Sequence, residues 1–153
     1  MSQSGWILVV EDNPIRRKQL ASGLEERGAF QVCTAGTVAQ ATILLNGSGA
    51  RFDAIVLDDQ LPDGTGRNMC AEMRGRGNWT PLIMISNRAT EADVVRSFEA
   101  GADDHVVRPS VSELVARLRV QLRGGNGYIP GGWRTRNDSN VRPLPSEGSA
   151  LSS

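Results

Sequence analysis

Five short apolar runs punctuate the chain: WILVV (6–10), FQVC (30–33), AIVL (54–57), LIMI (82–85) and HVV (105–107). The first, third and fourth are continuously apolar, which is expected of strands covered on both faces. Helical spacing fills the gaps. Asn13 before Pro14 predicts an N-cap with a first-turn proline, and Leu20 and Leu24 follow four apart up to a stop near Gly28. Residues 37–45 and 67–75 carry looser helical spacing. TEAD (90–93) reads as a capping box ahead of Val94 and Phe98, with Gly101 as terminator. SVSE (110–113) reads as a second capping box, ahead of Leu114, Leu118 and Leu122. Strand followed by helix, five times over, predicts an α/β domain: a parallel sheet with helices on both faces.

Composition changes that picture at one place. From Gly124 to Ser153 the chain is mainly Gly, Pro, Ser, Asn and Arg, without apolar periodicity. The expected division is a structured domain over 1–123 and a disordered tail or linker over 124–153. The full 153 residues suit one compact domain. Seventeen basic residues balance seventeen acidic ones, so no net field favours nucleic acid or an anionic membrane. Cys33 and Cys70 lack a CxxC partner and read as reduced thiols. No apolar run approaches the roughly 20 residues of a membrane helix, and MSQSGW does not resemble a signal peptide. The expectation is a soluble cytoplasmic protein.

The candidate chemistry sits at strand ends. In open α/β sheets the ligand crevice lies outside the carboxyl ends of the strands. Glu11 and Asp12 follow the first strand, Asp58 and Asp59 the third, Ser86 the fourth and Arg108 the fifth. Converging carboxylates repel one another, and a hard divalent cation relieves that repulsion. Magnesium favours one or two carboxylates plus water and a phosphate oxygen, so the cluster suits a site for a phosphoryl group. Asp58, held rigidly at the end of a buried strand, suits the nucleophile. Magnesium and Arg108 can neutralise charge, and the Ser86 hydroxyl can donate to a phosphoryl oxygen. The turn from Pro62 to Gly64 would clear the space above Asp58.

In order and spacing, ILVVEDN, DAIVLDDQLPDGTG, PLIMIS and AGADDHVVRPS resemble the receiver domain of two-component response regulators over about residues 5–123. The resemblance implies a doubly wound, five-stranded parallel sheet in the order 2-1-3-4-5 with five helices. It implies phosphorylation at Asp58 by a partner histidine kinase or phosphotransfer protein. Magnesium would be held by Asp12, Asp58 and the backbone carbonyl of Gln60, with Glu11 acting through a water. Ser86 takes the place of the family's mobile hydroxyl residue. Two positions depart from the family pattern. Its lysine is here Arg108, which keeps the charge on a longer, planar, forked group. Its switch aromatic is here His105, which is smaller and titrates near neutrality.

That resemblance also implies a two-state change at the face of the fourth helix, fifth strand and fifth helix, read by a downstream protein partner, with a homodimer as one use of the same face. No DNA-binding motif follows residue 123, so direct nucleic-acid contact is not expected, nor is a membrane. Two other readings compete. Arg108 and His105 also fit an atypical, phosphorylation-independent binding module. A haloacid-dehalogenase-type phosphatase would need a second aspartate two residues after Asp58, where Gln60 stands. The expected chemistry is at most autocatalysed transfer to, and hydrolysis from, the protein's own aspartate rather than conventional enzyme turnover.

Overall fold

The computed structural model describes residues 5–47 and 51–125. Of the tail expected over 124–153, residues 124 and 125 end α5 and the rest lies outside the described residues. The elements run β1 (Trp6–Val10), α1 (Pro14–Gly28), β2 (Gln31–Ala35), α2 (Val38–Asn46), β3 (Ala54–Asp58), β4 (Gln60–Leu61), β5 (Gly64–Thr65), α3 (Gly66–Gly75), β6 (Leu82–Ser86), α4 (Glu91–Glu99), β7 (Asp104–Val107) and α5 (Val111–Gly125). β4 and β5 form a small antiparallel ladder of their own. The other five strands form one sheet in the order β2-β1-β3-β6-β7, parallel throughout. Counting only those five strands, this is the expected order 2-1-3-4-5.

Period-2 alternation splits the core into two layers. Ile7, Val9, Val56, Ile83, Ile85 and Val106 face α1 and α5, which contribute Leu20, Leu24, Leu114 and Leu118. Leu8, Val10, Ile55, Leu57, Leu82 and Met84 face α2 and α3, which contribute Ala41, Met69, Cys70 and Met73. Both faces of β1, β3 and β6 are therefore dry, and this is why those strands read as unbroken apolar runs. Cys33 and Cys70 are free.

Caps fix most helix starts. The Asn13 side chain accepts from the amides of Ile15 and Arg16. Thr90 and Asp93 form a reciprocal capping box. At Ser110 only half of the expected box forms. Its hydroxyl accepts from Glu113 N, while the Glu113 carboxylate pairs with Arg117.

α1 ends at Gly28, where the sequence placed its stop, and the left-handed position falls on Ala29, at φ 59°. A Cβ on Gly28 would meet the Phe30 ring at 2.5 Å, so Gly28 is there for close packing. The Val94–Phe98 stripe does not define the inner face of α4. Phe98 is 47 % exposed, and the fully buried residue is Ser97. A serine can hold that position because its Oγ donates to the Asp93 carbonyl, 3.2 Å away. Asp103 and Asp104 take part in the packing. Asp103 accepts from Leu82 N and Arg74, and Asp104 pairs with Arg117 at 2.9 Å.

Candidate functional site

At the carboxyl edge of the sheet, β1 and β3 are adjacent, and each ends in acid. The Glu11 amide continues the ladder onto Ala35 O, so the residue is delivered as a strand extension. Asp58 is the last residue of β3, in register with Ile85. Oxygens of Glu11, Asp12 and Asp58 come within 4.8 Å of one another. They line an open cleft of about 1010 Å³, together with Gln60, Ser86 and the cations Arg16, Arg67 and Arg88.

The backbone around the cluster is clamped. Arg17 Nη1 donates to Glu11 O and Asp12 O. Gln60 N donates to Asp58 Oδ1 at 3.0 Å. The turn at Pro62 and Asp63 is tied down at its tip, where the Asp63 carboxylate accepts from the amides of Val38 and Ala39. The closest passage comes just after the turn. A Cβ on Gly66 would lie 2.6 Å from the carbonyl oxygen of Asp58, so only glycine lets α3 begin there.

The electrostatics of the cluster are unfavourable as they stand. Burial, with the neighbouring Asp58 charge, pushes the Glu11 carboxyl up from 4.5 to about 7, against the Asn13 amide that accompanies it. Asp58 is also raised, first by burial and then by Asp12, with Gln60 N opposing. Glu11 Oε1 is buried without a hydrogen-bond donor. Arg16 Nε stands 3.3 Å away as an ion pair but does not meet hydrogen-bond geometry. Three carboxylates with hard oxygen donors, one of them buried and short of a partner, fit a divalent cation such as magnesium.

The remaining expected residues divide. Ser86 ends β6 and lines the cleft. His105 lies on β7 with its Nε2 2.9 Å from Ser86 Oγ. Arg108 is not among the residues that line the cleft; its side chain is exposed, and its φ is 45°. Its amide donates to Ser86 O, and the left-handed turn before Pro109 carries the chain away into α5. Asp59 is buried and bound to Arg67 Nε at 3.1 Å. Sequence reading missed Arg16, Arg67, Arg88 and Ser97. Each arginine sits in a polar stretch, where one basic residue looks like any other, and Ser97 was hidden behind the apolar Val94–Phe98 spacing.

The family described as the response regulator receiver domain matches residues 7–119. This chain belongs to that family. It is similar to the transcriptional regulatory protein TcrA of Mycobacterium tuberculosis, 39 % identical over 78 % of this chain and 46 % of TcrA. The chain spans about half the length of the curated relatives it matches. Among solved structures it resembles the signal receiver domain of a histidine kinase from Syntrophus aciditrophicus. There the TM-score is 0.70 and the identity 30 %, over 82 % of this chain and 96 % of that one. It also resembles a Burkholderia pseudomallei response regulator recorded with a phosphorylated aspartic acid and a calcium ion. That match has TM-score 0.67 and 26 % identity, over 77 % of this chain and 68 % of that one. Among the described residues, no helix is long and apolar enough to cross a membrane.

Proposed function

We propose that the chain is a phosphorylation switch in which Asp58 accepts a phosphoryl group from a partner histidine kinase or phosphotransfer protein. The observation that carries this reading is the meeting of Glu11, Asp12 and Asp58 within reach of one cation, with a buried Glu11 oxygen lacking a donor. The phosphorylated aspartate of the Burkholderia relative supports it. Asp12, Asp58 and the carbonyl of Gln60 would hold magnesium, with Glu11 acting through a water, and the ion would supply charge neutralisation at the phosphoryl oxygens. The chain's own part is positioning. The Asp58 carboxylate oxygen forms the new O–P bond as the P–N bond of the donor's phosphohistidine breaks and its electron pair returns to the imidazole. The Ser86 hydroxyl would donate to a phosphoryl oxygen. Arg16, Arg67 and Arg88 line the cleft beside the acids, and Arg108 would need to turn inward to join them.

The output in this reading is a change in the face of α4, β7 and α5. Val95, Phe98, Val107 and Val120 are exposed there, which suits a protein partner or a second copy of the chain. The gene-regulatory link printed for TcrA would pass through that face.

The exposed Arg108 favours a second reading, a binding module that needs no phosphorylation. Intact mass after treatment with acetyl phosphate and magnesium separates the two. The switch predicts one phosphoryl adduct on wild type, none on Asp58→Asn, and a stronger adduct on Arg108→Lys, whose slimmer ammonium can reach inward. An unmodified wild type would leave the binding module as the surviving reading.

A further inference from the structure

The imidazole of His105 bridges two serine hydroxyls. Nε2 lies 2.9 Å from Ser86 Oγ at the cleft, and Nδ1 lies 2.8 Å from Ser97 Oγ inside α4. Ser97 is fully buried, and its Oγ also lies 3.2 Å from the Asp93 carbonyl, which can only accept. A Ser97 proton given to that carbonyl leaves Oγ an acceptor toward Nδ1. A neutral imidazole has one donor and one acceptor nitrogen. In that arrangement Nδ1 carries the proton and Nε2 accepts from the Ser86 hydroxyl.

We propose that the row adopts this arrangement, with Ser97 and His105 as positioning residues that hold the Ser86 proton away from Asp58. This rests on the phosphorylation reading of Asp58. Ser86 has one proton and two candidate acceptors, the imidazole and an incoming phosphoryl oxygen. Donation to the phosphoryl group requires the bond to Nε2 to break. Helix α4 thereby senses the occupancy of the cleft through a row of hydrogen bonds: Asp58 side, Ser86, His105, Ser97, Asp93 carbonyl.

The charges around the ring are compatible with a neutral imidazole. Burial lowers the His105 pKa, and Arg67 from α3 adds to that, against Asp59 after β3, Asp93 on α4 and Asp104 on β7. Asp59 and Asp93 are each paired with Arg67, and Asp104 with Arg117 of α5, which blunts their pull. Glu113 is held by Arg117 in turn.

His105 is the only histidine in the sequence, so its ring nitrogens give an unobstructed NMR signal. In the metal-free protein at neutral pH, nitrogen-15 spectra are expected to show a protonated Nδ1 and an unprotonated Nε2. Ser97→Ala should reduce that tautomer preference about five- to tenfold, the population shift of one net hydrogen bond. His105→Phe should tighten the binding of beryllofluoride with magnesium by a similar factor, and the gain should vanish in a Ser86→Ala background. A protonated Nε2 in wild type, or an unchanged tautomer ratio in Ser97→Ala, would overturn the proposal, as would a His105→Phe gain that survives Ser86→Ala. If beryllofluoride bound none of the proteins, the phosphorylation reading would fail, while the tautomer spectra would still decide the relay.

Discussion

The two ends of the sheet both bury charge, and they treat it in opposite ways. At the amino end, Arg74 of α3 is 8 % exposed. Its five N–H groups are matched by five hydrogen bonds: two to Gly101 O, one each to Asn78 O and Thr80 O, and one to Asp103 Oδ2. Trp79 lies 5.1 Å from the guanidinium. Gly101, at φ 110°, leaves room that a Cβ would take from Arg74 Cγ at 2.6 Å. At the carboxyl end, Glu11 is 2 % exposed and one of its oxygens lacks a donor. The contrast separates architecture from function. A buried charge whose partners all lie within the chain ties elements together, whereas one left short of partners raises its own pKa and is available to something that arrives.

Breaking the satisfied end should give the largest effect. Arg74→Met withdraws the donor from three backbone carbonyls and removes one partner of Asp103 at once, so denaturant unfolding should show a loss of about 3–5 kcal/mol. The unsatisfied end should appear as a pH dependence. The Glu11 carboxyl is raised from 4.5 to about 7, and Asp58 moves in the same direction. Between those two values for Glu11 the folded protein keeps a proton that the unfolded chain has lost. Stability of the metal-free protein should therefore be greatest below pH 4.5 as far as this group is concerned, and fall by about 1–3 kcal/mol as pH rises through 7. Chemical unfolding between pH 5 and 8 in chelator measures it. Asp58→Asn sharpens the comparison with a smaller effect. It should flatten that slope and raise metal-free stability at pH 8 by about 1 kcal/mol, a gain that is unusual for a change at a half-buried position.

Much of this was legible beforehand, for particular reasons. The continuous apolar runs of β1, β3 and β6 announce strands covered on both faces, and Asn13–Pro14 announces where α1 starts. Glu11, Asp12 and Asp58 were legible as a cluster because strand ends bring distant residues together by rule. What stayed hidden depends on side-chain direction. Phe98 and Ser97 are adjacent, and only the rotation of α4 decides which is buried. Arg74 reads as one surface arginine among sixteen. Arg108 was assigned to the cleft from its place after the fifth strand, yet its side chain is exposed and does not line the cleft.

Magnesium titration followed by thermal unfolding tests the central claim most directly. At pH 8, millimolar magnesium should raise the Tm of wild type by several degrees, because the ion supplies the charge the cluster lacks. At pH 5, where Glu11 is protonated, and in Asp58→Asn at either pH, the rise should be much smaller. A wild-type Tm indifferent to magnesium at pH 8, or an equal rise in Asp58→Asn, would contradict the account.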